Sequence, residues 1–130
     1  MSTALVLQKS PHDVAGTVQR IVAGLERRGV TLFAAVDHAA GARSAGLELP
    51  DEVLLVFGNP AVGTALMQSD PRSGIELPLR MLVWSEGGAT RIAFRDPAGL
   101  ADEFSVDGNV GTLAKLRGLL DQLVAEATAG

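Results

Sequence analysis

The sequence contains no cysteine, and only two of its 130 residues are histidines. The absence of cysteine excludes disulfides, thiol catalysis and thiolate metal sites. A metal site needs three or four ligands, and no predicted helix places a second ligand four residues from His12 or His38. The sequence therefore predicts no metal site and no other cofactor.

Clustered basic residues are also missing. The formal net charge is −4 and the eleven Lys and Arg side chains are scattered, whereas nucleic-acid binding needs grouped cations that release counterions. Apolar stretches such as 53–57 are far shorter than the roughly 20 residues of a membrane-spanning helix. The short apolar run at 4–7 has no positive charge before it, unlike a signal peptide. We therefore expect a cytoplasmic protein that binds neither nucleic acid nor a membrane.

Hydrophobic residues make up 47% of the chain, which suffices for one core in a single domain spanning residues 1–130. Hydrophobic periodicity and turn residues predict a strand at 3–8, a helix from 10 to 29, strands at 30–37 and 53–57, a helix from 59 to 69, a hairpin of strands 80–85 and 90–95, and a last helix around 113–124. This order favours an α+β fold in which helices cover one face of a mostly antiparallel, five-stranded sheet. The other face is left to solvent, a ligand or a second subunit.

Three local interpretations accompany this outline. Ser10 is predicted to cap the first helix, with Pro11 in the first helical position. The strand at 30–37 lacks polar alternation, which predicts burial on both faces or at an interface. Trp84 has apolar neighbours, which predicts a place in the core.

The Gly58-Asn59-Pro60 segment predicts a corner at which a strand turns directly into a helix, because Asn59 can cap the helix and Pro60 can start it. Gly58 and Gly63 resemble a phosphate-binding loop in spacing, but such a loop has lysine where Thr64 stands. We still expect the backbone N–H groups of residues 61–63, at the start of the helix, to be free to donate hydrogen bonds to an anion. The alternative is that the corner only caps a helix.

Two other polar residues are candidates for a site. His38 follows Asp37 at the end of a predicted strand, and imidazole suits proton transfer near neutral pH. Adjacent strand residues point to opposite faces, so a carboxylate partner would have to come from elsewhere in the fold. Arg80 starts the hairpin with a bidentate donor for carboxylate or phosphate. Structural alternatives are a hydrogen-bonded histidine at a strand end and an ion-paired arginine on an edge strand.

Four segments together resemble the domain-of-unknown-function 302 family: Asp-His-Ala at 37–39, Phe-Gly-Asn-Pro at 57–60, Gly-Thr-Ala-Leu-Met at 63–67 and Leu-Pro-Leu-Arg at 77–80. The resemblance extends from the first strand to residue 96. It implies a fold similar to that of the TATA-binding protein, in the order β-α-β4-α with short inserted helices. It implies neither a reaction nor DNA binding, and the candidate positions it carries over are His38, Asn59, Pro60, Pro78 and Arg80.

These observations predict that His38, Asn59, Gly63, Thr64 and Arg80 converge on a site for a small anionic ligand. We also expect the protein to form a homodimer. Two alternatives are open. The protein could be a structural or interaction protein that self-associates through the open face of the sheet, or an enzyme that uses His38 as an acid or base.

Overall fold

The computed structural model describes residues 5–130, which form one five-stranded sheet, five α-helices and three 3-10 turns. Residues 3 and 4 of the first predicted strand lie outside the described part. The strands are β1 (Leu5–Ser10), β2 (Thr31–Asp37), β3 (Glu52–Gly58), β4 (Leu79–Glu86) and β5 (Ala89–Arg95). The helices are α1 (Val14–Arg27), α2 (His38–Ser44), α3 (Pro60–Ser69), α4 (Leu100–Glu103) and α5 (Val110–Ala127), and the 3-10 turns are Pro71–Glu76, Pro97–Gly99 and Asp107–Asn109.

The sheet has the strand order β1-β5-β4-β3-β2, and each pair of neighbouring strands is antiparallel. Strand β4 is therefore the middle strand, and β1 and β2 are the edges. The predicted α+β fold with a five-stranded antiparallel sheet is confirmed. Gly87 and Gly88, both with positive φ, form the tight turn between β4 and β5, a connection that the twist of antiparallel strands favours.

One face of the sheet is buried under helices. Every second residue of the inner strands points to this face, because side chains alternate along a strand. The sheet contributes Leu55, Phe57, Leu79, Met81, Val83, Ile92 and Phe94 to the core, and α1, α3 and α5 contribute Val14, Ile21, Leu25, Leu66, Leu113, Leu116, Leu120 and Leu123. Each such apolar side chain contributes roughly 1.5–3 kcal/mol when fully buried. Within residues 5–130, no helix is both long and apolar enough to cross a bilayer.

The first helix begins later than the sequence predicts. Asp13 is its N-cap and accepts a hydrogen bond from the amide of Gly16 at 2.7 Å. Ser10 is still part of β1, where it pairs with Thr90, and its hydroxyl lies 2.7 Å from that of Thr17. The predicted cap at Ser10 is wrong because sheet pairing keeps the backbone extended through that residue.

Burial of the strand at 30–37 on both faces and of Trp84 in the core are wrong predictions, whereas an interface at 30–37 stays a prediction. Strand β2 lies at the edge of the sheet, and its residues are mostly exposed. Trp84 is half-buried rather than part of the core, because the alternation along β4 places it on the open face with Arg80 and Leu82. Its indole N–H donates to Glu86 at 3.1 Å, which satisfies the polar end of the ring.

Candidate functional site

The predicted corner is present as a direct connection from β3 to α3. Strand β3 ends at Gly58, Asn59 caps the helix, and Pro60 is its first residue. The side-chain oxygen of Asn59 accepts a hydrogen bond from the amide of Ala61 at 3.0 Å. This arrangement satisfies one of the donors that a helix leaves unpaired at its start.

The amides that were expected to bind an anion are already engaged. Besides the bond from Ala61 to the Asn59 side chain, the amides of Val62 and Gly63 both donate to the Asn59 carbonyl, at 3.0 and 3.1 Å. The prediction of three free donors at residues 61–63 is therefore wrong. The helix still presents the positive end of its dipole here, but an anion would have to use side-chain donors.

A cleft of about 290 Å³ opens beside this corner. Its volume is near the lower limit for small-molecule sites, which are mostly apolar with a few polar groups. The lining residues are Phe33, Gly58, Asn59, Pro60, Val62, Gly63, Thr64, Met67, Gly74, Leu77, Pro78, Leu79 and Leu116. Asn59 and Thr64 are the polar side chains of this set, and no charged residue belongs to it.

One wall of the cleft comes from an irregularity in the edge strand. The pairing of β2 with β3 shifts between Leu32 and Ala34, so that Phe33 is the extra residue of a β-bulge. Its side chain is 51% exposed and lines the cleft. A Cβ atom on Gly58 would lie 3.6 Å from Pro78 and 3.9 Å from Phe33, so the absence of a side chain there leaves room between them. Bulges commonly redirect a side chain in this way.

The opposite wall is the segment from the end of α3 to the start of β4. Gly74 packs against Met67, where an added Cβ would meet the sulfur at 3.0 Å. The peptide bond between Leu77 and Pro78 is cis. Asp70 holds this segment at its base, because its carboxylate accepts hydrogen bonds from the side chain and amide of Arg72.

Of the predicted site residues, Asn59, Gly63 and Thr64 line the cleft. Gly63 faces its interior: a Cβ atom there would be in ordinary van der Waals contact with Leu77 and Met67, both at 3.9 Å. Thr64 is exposed at the rim and can offer its hydroxyl to a bound molecule.

Arg80 belongs to a different surface. It pairs with Val56 on the open face of the sheet, opposite to the face of its neighbour Leu79, and its guanidinium lies 3.4 Å from Glu76. The expectation of an edge-strand position is wrong, since β4 is the middle strand. The structure does not bring Arg80 into the corner cleft.

His38 is at the other end of the sheet. It follows Asp37, which pairs with Val53, whereas the corner follows Gly58, which pairs with Thr31. Gly58 lies five residue steps after Val53 along β3, a distance of about 17 Å. The predicted convergence of His38 with the corner is therefore wrong.

Two acids that are candidate partners of His38, its neighbour Asp37 and the distant Asp96, are engaged in other contacts. Asp37 caps α2 by accepting a hydrogen bond from Ala40 at 2.9 Å. Asp96 is bound by Arg117 at 2.5 Å. In the described part of the chain, no group of three or more His, Asp and Glu side chains could hold a metal ion.

For several lining residues, no pattern in the sequence indicated that they would lie at a cleft. Phe33 resembled any apolar strand residue, and a bulge has no fixed sequence pattern. Met67 and Leu77 lie on the cleft because a 3-10 turn brings residues 71–76 back beside α3. That tertiary contact cannot be inferred from helical periodicity.

The chain is similar in sequence and in fold to one protein family. A family model described as "Domain of unknown function DUF302" matches residues 6–126. A crystal structure of an uncharacterized conserved DUF302 protein from Bacillus stearothermophilus superposes with a TM-score of 0.82 at 17% identity, covering 95% of this chain and 97% of that one. At this identity the likeness shows the fold, and the TATA-binding-protein-like label stays a prediction.

Curated relatives carry a functional name. The chain is 43% identical over 107 residues to "Fluoride-specific ion channel FluC 1" of Brucella suis biovar 1 (strain 1330), a match that covers 82% of this chain and 42% of the relative. A protein of the same name from Brucella abortus biovar 1 (strain 9-941) is also 43% identical over 107 residues, with 40% of its length covered. The chain thus spans about two-fifths of the length of these relatives.

Proposed function

This chain belongs to the DUF302 family, and on that premise we propose that it is a binding domain whose corner cleft takes a small, largely apolar molecule carrying one hydrogen-bond acceptor, such as a carboxylate. The observation that supports this most is the contrast within the cleft. Its walls are apolar side chains and glycines, and its polar side chains, Asn59 and Thr64, stand where α3 begins.

The apolar lining of the cleft favours a ligand whose main part is apolar. Phe33 and Met67 are 51% and 37% exposed, so covering them removes apolar surface from water, which is favourable. Exposed apolar residues grouped around a concavity are typical of a binding site, whereas single ones are common on any surface.

The polar rim favours an acceptor at one end of the ligand. The side-chain oxygen of Asn59 is used by Ala61, which leaves its NH₂ group as a donor, and the hydroxyl of Thr64 is a second donor. The positive end of the α3 dipole adds a preference for negative charge. We therefore propose that the ligand carries its negative charge on one end group. A small inorganic anion would find few free hydrogen-bond donors in the cleft.

The channel activity in the names of the Brucella relatives describes proteins more than twice as long as the matched segment. We propose that in those proteins the matched segment is a ligand-binding domain joined to a channel. Fluoride itself is a poor candidate for the corner cleft, because the amides of residues 61–63 are occupied.

The test is a titration of the ¹⁵N-labelled chain with 4-phenylbutyrate, 4-phenylbutanol and sodium fluoride, followed by the amide signals of Gly58, Gly63 and Gly74. Both organic probes should shift these signals, the carboxylate at several-fold lower concentration, and fluoride should not. The variant Gly63→Leu should abolish the shifts by filling the cleft. The matched control Gly118→Leu, in α5 with open space around it, should retain them.

Selectivity for the end group is tested with Thr64→Val, which removes the hydroxyl and keeps the shape. This variant should bind the carboxylate several-fold more weakly and the alcohol almost as before. Shifts that are equal in Gly63→Leu and the unchanged chain would overturn the proposal, as would a response to fluoride at the corner amides with none to the organic probes.

A further inference from the structure

The face of the sheet opposite the helices has a continuous apolar row. Strand pairing aligns Leu7 with Ala93, Ala93 with Leu82, Leu82 with Leu54, and Leu54 with Val36. One apolar residue from each of the five strands therefore lies in line across the open face. The outer members are the most exposed, with Leu7 at 57% and Val36 at 41%.

Charged residues flank this row on both sides and are of both signs. On one side lie Arg80, ion-paired with Glu76, and Arg95. On the other side, Lys9, Arg91, Trp84 and Glu52 are aligned by strand pairing. A surface with mixed charges around an apolar centre is typical of protein interfaces, whereas an anionic membrane surface favours clustered cations alone.

We propose that this open face binds a second copy of the chain, forming a homodimer by packing one sheet on the other. Five strands at a spacing of about 4.8 Å, each with about six residues rising about 3.3 Å, give a face of about 480 Å². Two such faces bury on the order of 1,000 Å², the size at which specific interfaces begin.

The position of β4 makes the face self-complementary. Strand β4 is the middle strand. A two-fold axis that lies between the two sheets and runs parallel to β4 places Leu82 of one copy against Leu82 of the other. It also places β5 of one copy over β3 of the other, and β1 over β2. Val36 of one copy then lies against Leu7 of the other, and Leu54 lies over Ala93, which is only 4% exposed and forms a shallow position in the row. Sheets packed face to face keep their strands within about 30° of each other, which agrees with this arrangement.

The same axis brings one pair of opposite charges together. Arg91, which lies 3.6 Å from Glu86 in its own copy, faces Glu52 of the other copy, since β5 lies over β3. Arg80 meets its own counterpart, but its charge is offset by Glu76 at 3.4 Å in each copy. The flanking rows thus permit the central apolar row to be covered.

The test is sedimentation velocity of the unchanged chain and of Leu7→Glu, Val36→Glu and Leu47→Glu, from about 1 to 100 µM. The monomer mass is 13.5 kDa, and the unchanged chain should sediment at twice that mass. Leu7→Glu and Val36→Glu, at the two edges of the row, should raise the dissociation constant at least tenfold. Leu47 is 65% exposed outside the row, so Leu47→Glu is the matched control and should leave the dimer intact.

The relative orientation is tested by charge exchange. Arg91→Glu and Glu52→Arg should each weaken the dimer, and the combined variant should recover most of the loss. A monomer at 100 µM would overturn the proposal, as would equal weakening by Leu47→Glu and Leu7→Glu. A monomer that instead binds phosphatidylglycerol vesicles through Leu7 would assign the face to membranes and also overturn it.

Discussion

Asp70 joins two segments of the chain that are 35 residues apart, because its carboxylate accepts a hydrogen bond from the amide of Ser105 at 2.9 Å. The same carboxylate binds the guanidinium of Arg72 at 2.8 Å, and Asp70 itself is only 5% exposed. The hydrogen bonds from the Arg72 side chain, and after them the one from Ser105, hold the pKa of Asp70 well below its usual range. Asp70 thus stays ionised and fixes the 3-10 turn that forms one wall of the cleft.

Asp70→Asn should lower the melting temperature by several degrees, because the neutral amide accepts weaker hydrogen bonds and replaces one acceptor oxygen by a donor. Hydrogen exchange should accelerate at the Ser105 amide and in residues 71–76. Calorimetry and exchange mass spectrometry would measure the two effects.

The exposed Asp102 provides the control for this change. Asp102→Asn makes the same substitution outside this hydrogen-bonded network and should leave the melting temperature within about a degree. Equal melting temperatures for Asp70→Asn and Asp102→Asn would show that the connection to Ser105 does not stabilise the fold.

Glu126 links the last helix to the first. It accepts hydrogen bonds from Arg28 and Arg27, the latter at 2.6 Å. These bonds, first those from Arg28, lower the pKa of Glu126 from its ordinary 4.5 to about 2. Because the pKa is lower in the folded state, the stabilisation is complete above about pH 4.5 and is lost as the pH falls toward 2.

Glu126→Gln should therefore be less stable than the unchanged chain at pH 7, and the difference should shrink between pH 4.5 and 2. Urea unfolding at pH 7, 4 and 2.5 would measure it. Part of the carboxylate is exposed, which limits the effect to a few degrees in melting temperature. A stability difference that does not change with pH would contradict the role of this charge, and Glu103→Gln is the exposed control.

The sheet and the corner were predictable because their signals are local. The apolar run of β3 ends at Gly58, and Asn59-Pro60 carries both a cap and a helix start. The alternation along β4 and β5, with glycines between them, predicted the hairpin. Such patterns depend mainly on neighbouring residues, so the sequence carries them directly.

The composition of the site was less predictable, because it depends on which strand ends meet. The sequence shows that His38 and Asn59 both follow strands, but antiparallel pairing of β2 with β3 places these two strand ends at opposite ends of the sheet along the strand direction. Strand order likewise decided that Arg80 is on the middle strand rather than an edge. Neither fact has a local signal.

Asn59→Ala tests the cap at the corner. Loss of the side-chain acceptor for the Ala61 amide should lower the free energy of unfolding by about 1 kcal/mol. Asn59→Asp, which keeps an acceptor at the same position and places negative charge at the helix start, should lose almost nothing. Urea unfolding of both variants would measure the difference, and equal losses would show that the corner does not depend on this cap.

Gly24→Ala tests how closely α1 approaches α5. A Cβ atom at Gly24 would lie 3.0 Å from Leu123 and 3.2 Å from the carboxylate of Glu126. The better helix propensity of alanine favours the variant by up to about 1 kcal/mol, whereas overpacking a core typically costs 1–3 kcal/mol. Because Leu123 is fully buried and cannot easily move, we expect a net destabilisation of about 1 kcal/mol.

Gly118→Ala makes the same change on α5 with no atom within 4 Å, so propensity acts alone and the control should gain up to about 1 kcal/mol. Opposite signs for these two substitutions in urea unfolding would confirm a close contact between the helices, and a gain in both would contradict it.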